Sequence, residues 1–297
     1  MVRPMGVLAR LGLLALSAVA LVRGGRPLGV RGGYAAPFSS LGAAGVGGGG
    51  RRLDPVAFHS QGDAALSRAL NFSSDYRTSF VNIHEADGVS VWRAGDVVLA
   101  SCTIDAQLED VVATLRDANR TREYNPNCAE LREIERYDDD GQITYSVTGA
   151  MGPFKRRDFV TAVHWRRLED GSVAVVNHAV DDDRAPESDD IVRSEVILGA
   201  QLLRPLQDGR TEITLLSALD LGGAARTPCG AALQNKLAEQ GPVQFIRSLE
   251  AAARRSSNTA YAPKAAQRRP FFDSISRSTS SNGPAPLRLV YTTAGAS

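Results

Sequence analysis

Three consecutive stretches alternate polar and apolar residues and fold back on themselves at turns rich in Asp and Gly. They constrain this chain more than any other feature. The first covers residues 131–149 and turns at 138–141. The second covers 157–180 and turns at 169–171. The third covers 191–221 and turns at 207–209. Alternation at period two, broken by Asp-Gly turns, predicts β-hairpins. Hairpins that follow one another build an antiparallel sheet. Such a sheet buries one face, and something must cover it. The cover follows in sequence. Residues 230–255 carry Leu233, Leu237, Phe245, Ile246 and Leu249 as an apolar stripe at helical spacing. The expected fold is α+β, a strongly curved antiparallel sheet wrapped around a long C-terminal helix. A space between the two would be lined by alternate strand residues, and apolar ligands are held in spaces of this kind.

Upstream, residues 87–104 read as strands with a turn at 94–96. Residues 105–119 then switch to helical period, with Asp105 as N-cap and Leu108, Val111, Val112 and Leu115 on one face. In the final helix, Gly241–Pro242 is expected to kink or divide the rod, because proline lacks a donor and clashes with the preceding turn.

The two ends differ in kind from the middle. Residues 1–53 contain no acid, and Arg3, Arg10, Arg23, Arg26 and Arg31 punctuate them. An apolar run at 11–22 is too short to span a bilayer comfortably, and a Gly-rich stretch at 42–50 follows. This pairs a secretory feature with an organellar one. We expect a leader that directs the protein to a mitochondrion or plastid, with the secretory route as the alternative. Residues 54–255 form the expected folded domain. Residues 256–297 are rich in Ser, Pro and basic residues and read as a disordered tail.

The charge balance excludes some classes. Among 297 residues the formal net charge is +1 and 43% are hydrophobic, which suits a globular protein and argues against a nucleic-acid binder. The basic triplet in "MGPFKRRDFV" (151–160) does not change this, because no aromatics interleave with it. Lys155 and Arg156 read as a solvated turn able to meet anionic lipid head groups. Arg157 and Asp158 open the strand, and Phe159 begins its lining face. Cys102, Cys128 and Cys229 are widely spaced, so neither a zinc site nor a disulfide framework is expected. No nucleophile-elbow, zincin or P-loop pattern occurs. His164 and His178 read as exterior strand histidines. Six acids crowd residues 181–190, but without the glycine and spacing of an EF-hand. Neither a cofactor nor a metal is expected.

Several segments in order resemble the START domain, the steroidogenic-acute-regulatory-related lipid-transfer family. They are "REYNPNCAEL" (122–131), "GPFKRRDFV" (152–160), "IVRSEV" (191–196), "LLRPL" (202–206), "TLLSALDLGG" (214–223) and "LQNKLAEQGPVQFIRSL" (233–249). The resemblance implies a helix-grip fold with a hydrophobic tunnel for one lipid. It implies a non-enzymatic carrier, expected as a monomer, that touches membranes transiently and moves lipid between them. Rival readings are a helix-grip cyclase or hydrolase of an apolar substrate, for which Asp158 and His164 are the nearest groups, and a lipid-sensing adaptor. The tunnel-lining residues implied are Ser146, Thr148, Phe159, Thr161, Val163 and Trp165 on strands, with Thr144 beside them. From the final helix come Leu233, Leu237, Phe245 and Leu249. The acidic segment corresponds to the loop over the tunnel mouth, so Asp181, Asp182, Asp183, Pro186 and Asp189 are expected in a mobile lid. Sterol-handling relatives keep a buried Arg–acid pair where this chain aligns Val163 and Ser146. The tunnel is therefore expected to be apolar there, with a phospholipid or other acyl lipid preferred over sterol.

Overall fold

The computed structural model describes residues 53–74, 76–150, 154–223 and 227–258, without the side chains of 228, 229, 231–233, 257 and 258. The expected leader and almost all of the expected tail lie outside the described residues.

The chain opens with helix α1 (Pro55–Ser74) and a short turn of helix, α2 (Tyr76–Ser79). Three strands follow: β1 (Val81–Ala86), β2 (Val89–Ala94) and β3 (Val97–Ile104). Helix α3 (Leu108–Arg116) and the single turn α4 (Thr121–Tyr124) then cross to β4 (Cys128–Asp138) and β5 (Gly141–Thr148). Next come β6 (Arg157–Arg167), β7 (Val173–Ala179), the two-residue β8 (Val192–Arg193), β9 (Glu195–Pro205) and β10 (Thr211–Asp220). Helix α5 (Pro228–Asn258) closes the fold.

The strands form one open sheet in the order β1-β2-β3-β10-β9-β7-β6-β5-β4, and β8 pairs in parallel with the start of β6. The three expected hairpins are present as β4–β5, β6–β7 and β9–β10. Edge strand β4 slips register against β5 at three places, and the opposite edge, β1, slips once against β2.

Two details depart from expectation. Asp105 does not cap α3: that position is Gln107, whose side chain makes no capping bond. The Asp105 amide instead donates to Glu250 Oε1 of α5 at 2.7 Å. Helix α5 also runs unbroken through Pro242. Val243, Phe245, Ile246 and Leu249 are all buried around that point, and their packing outweighs one lost backbone bond.

The two faces of the sheet bury different partners. On the inner face, Val91, Ala100, Cys102, Ile213, Leu215, Leu203, Val175, Phe159 and Trp165 share one core with Phe245, Ile246 and Leu249 of α5. On the outer face, Leu99, Leu216, Leu198, Ala200 and Val176 pack with Ala65 and Ala69 of α1. Phe58 of α1 extends that cover over Ile143, Val160 and Ala162. The far half of α5 is well tied. Arg120 Nη2 donates to the Ala252 carbonyl at 2.7 Å, and Tyr124 meets Phe245 edge-on at 5.6 Å.

Candidate functional site

Strand β6 positions most of the candidate residues, because its period-two alternation separates two chemistries. Odd-numbered positions point inward, where Phe159 and Trp165 are buried and Val163 is half-buried against the α5 core. Thr161 is buried on the same face. Thr144 and Ser146 of β5 stand opposite Thr161 and Phe159. Thr148, also buried, accepts a bond from the Arg157 amide at 3.0 Å. From α5, Leu237, Phe245 and Leu249 are buried. Leu233 lies on α5, but its side chain is outside the described residues.

The inner face starts one step earlier than the sequence suggested. Arg157 is not a strand-opening surface residue; it is 2% exposed and shares the face of Phe159. Its Nη1 donates to the Lys155 carbonyl at 2.6 Å, and its guanidinium carbon lies 5.5 Å from the Phe154 ring centre. Its Nε has no hydrogen-bond partner among the described residues. Burial pulls its pKa below the ordinary guanidinium value.

Nor is the inner face apolar throughout. The second hairpin turn sets Val163 opposite Asn177. Gly199 pairs with both Asn177 and Ser217, so one row crosses β7, β9 and β10. Gln201 is the next inward residue of β9. Asn177 Oδ1, Ser217 Oγ and Gln201 Oε1 are buried and have no hydrogen-bond partner among the described residues. Gly199 makes this row possible. A Cβ there would stand 1.7 Å from Asn177 Oδ1, so the amide occupies space that any side chain would fill. We therefore expect Gly199→Ala to destabilise the protein by about 1–3 kcal/mol through overpacking. Adding Asn177→Ala should recover most of that loss in urea unfolding; a purely additive double variant would contradict the clash.

Even-numbered positions of β6 face outward, yet they are not exposed. His164 is 0% exposed, against the expectation of an exterior histidine, because α1 crosses directly above it. Gly62 of α1 permits this approach: a Cβ there would stand 2.5 Å from the imidazole. Phe58 packs on His164 at 4.3 Å. His178 Nδ1 lies 3.1 Å from the Ala179 carbonyl, which can only accept, so that nitrogen carries the proton. His178 Nε2 then accepts from His164 Nε2–H at 3.3 Å. This leaves His164 Nδ1 as a bare nitrogen with no partner among the described residues.

Asp158, the other outward candidate, forms a bidentate pair with Arg193. Nε–Oδ1 and Nη2–Oδ2 are both 3.0 Å, and Arg193 Nη2 also donates to the Ala185 carbonyl at 2.8 Å. The pair straps the acidic loop to the start of β6. Val192 N donates to Arg156 O and Ser194 N to Asp158 O, each at 2.9 Å. Within the loop, Asp181, Asp183, Pro186 and Asp189 are exposed, as a solvated loop requires. Asp182 is not solvated: Arg184 holds it at 2.7 Å and also reaches Glu135 of β4 at 2.6 Å. Lys155 Nζ donates to the Asp189 carbonyl at 2.7 Å.

Among the described residues no group of His, Cys, Asp and Glu is arranged to hold a metal ion. Cys102 and Cys128 are free and buried, and burial pushes the Cys102 thiol up to about 11.

This arrangement, a curved open sheet with an inner wall under one long helix, has known counterparts. Residues 71–259 match the START domain. The chain belongs to the START domain family. Rho GTPase-activating protein 7 of Rattus norvegicus is 27% identical over 152 residues, which is 51% of this chain and 13% of that protein. The mitochondrial steroidogenic acute regulatory protein of Mesocricetus auratus is 24% identical over 181 residues, 57% of this chain and 62% of that protein. The chain thus spans less than two thirds of either relative. Among solved structures, human StAR-related lipid transfer protein 5 aligns with a TM-score of 0.61 at 19% identity, covering 69% of this chain and all of that one. Human STARD10 aligns with a TM-score of 0.58 at 20% identity, covering 64% and 79%. At these identities the likeness is one of fold, and it places this START domain in the helix-grip class.

Within the START domain, the aligned charge-pair positions do not face each other. Ser146 stands opposite Phe159, whereas Val163 stands opposite Gln142. Four residues of strand separate them, about 13 Å, which is too far for an ion pair. The polar character near Val163 comes from Asn177 on the next strand, which motif alignment on β5 and β6 does not reach.

Proposed function

We propose that this START domain holds a single lipid between the inner face of the sheet and α5 and carries it between membranes without changing it chemically. The observation that carries this reading is the inner face itself: an apolar wall under α5, interrupted by one unpaired polar row. Such a wall holds an acyl chain by desolvation, at about 0.8 kcal/mol per methylene. The row of Asn177, Ser217 and Gln201 offers hydrogen bonds to the lipid's polar part. An acyl lipid suits this wall, which needs no charged pair to hold a chain. An enzyme is disfavoured because Asp158 and His164, the residues proposed for one, are locked on the outer face.

The test is native mass spectrometry of the protein after exposure to vesicles of defined lipids, with fluorescent-lipid transfer between vesicles as the second readout. A stoichiometric acyl-lipid adduct and transfer are expected; absence of both across a broad panel would refute the reading.

The acidic loop is proposed as the lid. Its straps through Arg184 and Arg193 make it a latch that opens as a unit. Hydrogen exchange across 181–190 should slow when lipid is bound; equal protection with and without lipid would remove the lid. Residues 1–53 are proposed as an organellar leader, and a reporter fused to them should leave the cytosol.

A further inference from the structure

The geometry points to Arg157 as the counter-charge for an anionic group, phosphate or carboxylate, on the head of the bound lipid. This rests on the lipid-binding reading above and names the class of ligand. Arginine keeps its charge at any pH a protein meets. Here that charge is 2% exposed and has no ion pair among the described residues. One backbone carbonyl satisfies one Nη1 proton, and Nε has no partner. Burying a charge without a counter-ion is expensive, so such a site has strong affinity for an anion.

Of the acids nearest in the chain, two are held by other arginines, and Glu187, Asp189 and Asp190 of the loop are exposed to solvent. Asp158, the next residue, points to the other face and is held by Arg193. Asp182 is held by Arg184. Asp189 offers Lys155 its carbonyl, and its side chain is exposed. Outside the described residues the sequence contains only two acids, Asp75 and Asp273.

Placement adds the second half of the argument. Arg157 is the first residue of β6 and pairs with Val192, just after the acidic loop. Its guanidinium bends back toward Lys155. Two residues further in, Phe159 starts the apolar wall. A lipid whose chains lie along that wall brings its head group to Arg157. The planar fork of a guanidinium suits the two oxygens of a phosphate or carboxylate.

The full chain is incubated with phosphatidylcholine vesicles carrying equal amounts of phosphatidic acid and diacylglycerol, and bound lipid is read by native mass spectrometry. The wild type should take phosphatidic acid over diacylglycerol, which has no phosphate, by at least about tenfold. Arg157→Met should lose that preference, still take up diacylglycerol, and melt no lower than the wild type when empty. A merely structural arginine would instead lower the melting temperature and leave selectivity intact. Should Arg157→Met fail to fold, the wild-type measurement still decides: no preference for the anionic lipid overturns the assignment. Inorganic phosphate is the third arm. If it stabilises the wild type but not Arg157→Met, and lipid selectivity is absent, the site is for a free anion and the head-group assignment falls. Uptake of neither lipid would sink the lipid-binding reading itself, an outcome distinct from uptake without selectivity.

Discussion

Asp158→Ala is expected to destabilise the protein by about 3–5 kcal/mol, the scale for removing one partner of a buried ion pair. The substitution strands Arg193 in a half-buried position with one remaining bond, to the Ala185 carbonyl. It also loosens the acidic loop, which the Asp158–Arg193 pair straps to β6. The double variant Asp158→Ala, Arg193→Ala removes both charges and should recover part of the loss. Urea unfolding of the four proteins in the cycle gives the coupling directly. A loss below about 1 kcal/mol for Asp158→Ala would show that the strap is decorative.

Acid sensitivity is the second large effect. Burial beneath α1 lowers the His164 pKa from 6.5 to about 3, and the charges of His178, Arg166 and His59 act in the same direction. Burial lowers His178 as well, against a raising bond to the Ala179 carbonyl, with Arg68 nearby. The unfolded chain protonates His164 near pH 6.5, while the native state refuses the proton until about pH 3. Above 6.5 the two states bind protons equally and the group has no effect. Below it the unfolded state is favoured, at up to about 1.4 kcal/mol per pH unit. At pH 5 the loss from His164 alone is about 2 kcal/mol. His164→Leu should flatten stability between pH 6.5 and 5, and an unchanged pH slope in that variant would acquit the histidine. The bare Nδ1 under Gly62 explains the direction: a proton there finds no acceptor among the described residues.

The hairpins were legible because Asp-Gly turns and period-two alternation are local signals, and each turn fixes a register. The turn at 169–171 already implies that Val163 faces Asn177, so the polar row was within reach of the sequence. Counting back two residues from Phe159 likewise reaches Arg157, but a basic triplet beside a turn reads as surface. The cover over His164 was not legible. Helix α1 buries Phe58, Gly62, Ala65 and Ala69 at helical spacing, but three of these four are small, so the stripe is faint in the sequence. Its docking depends on close approach between elements a hundred residues apart, which no local pattern encodes.

An open sheet has two free borders, and the β4 border is the more thoroughly disarmed. Along β4 the three register slips break the straight row of amides that a stray strand would need. Glu130, Arg132, Glu133 and Arg136 are exposed along the same border. A neighbouring molecule finds bent backbone and mixed charge there rather than a template. A carrier that passes through an empty state, with its inner wall unoccupied, is at its most adhesive in transit. The bent border offers no straight row of amides for a second copy to extend, whether the inner wall is filled or not.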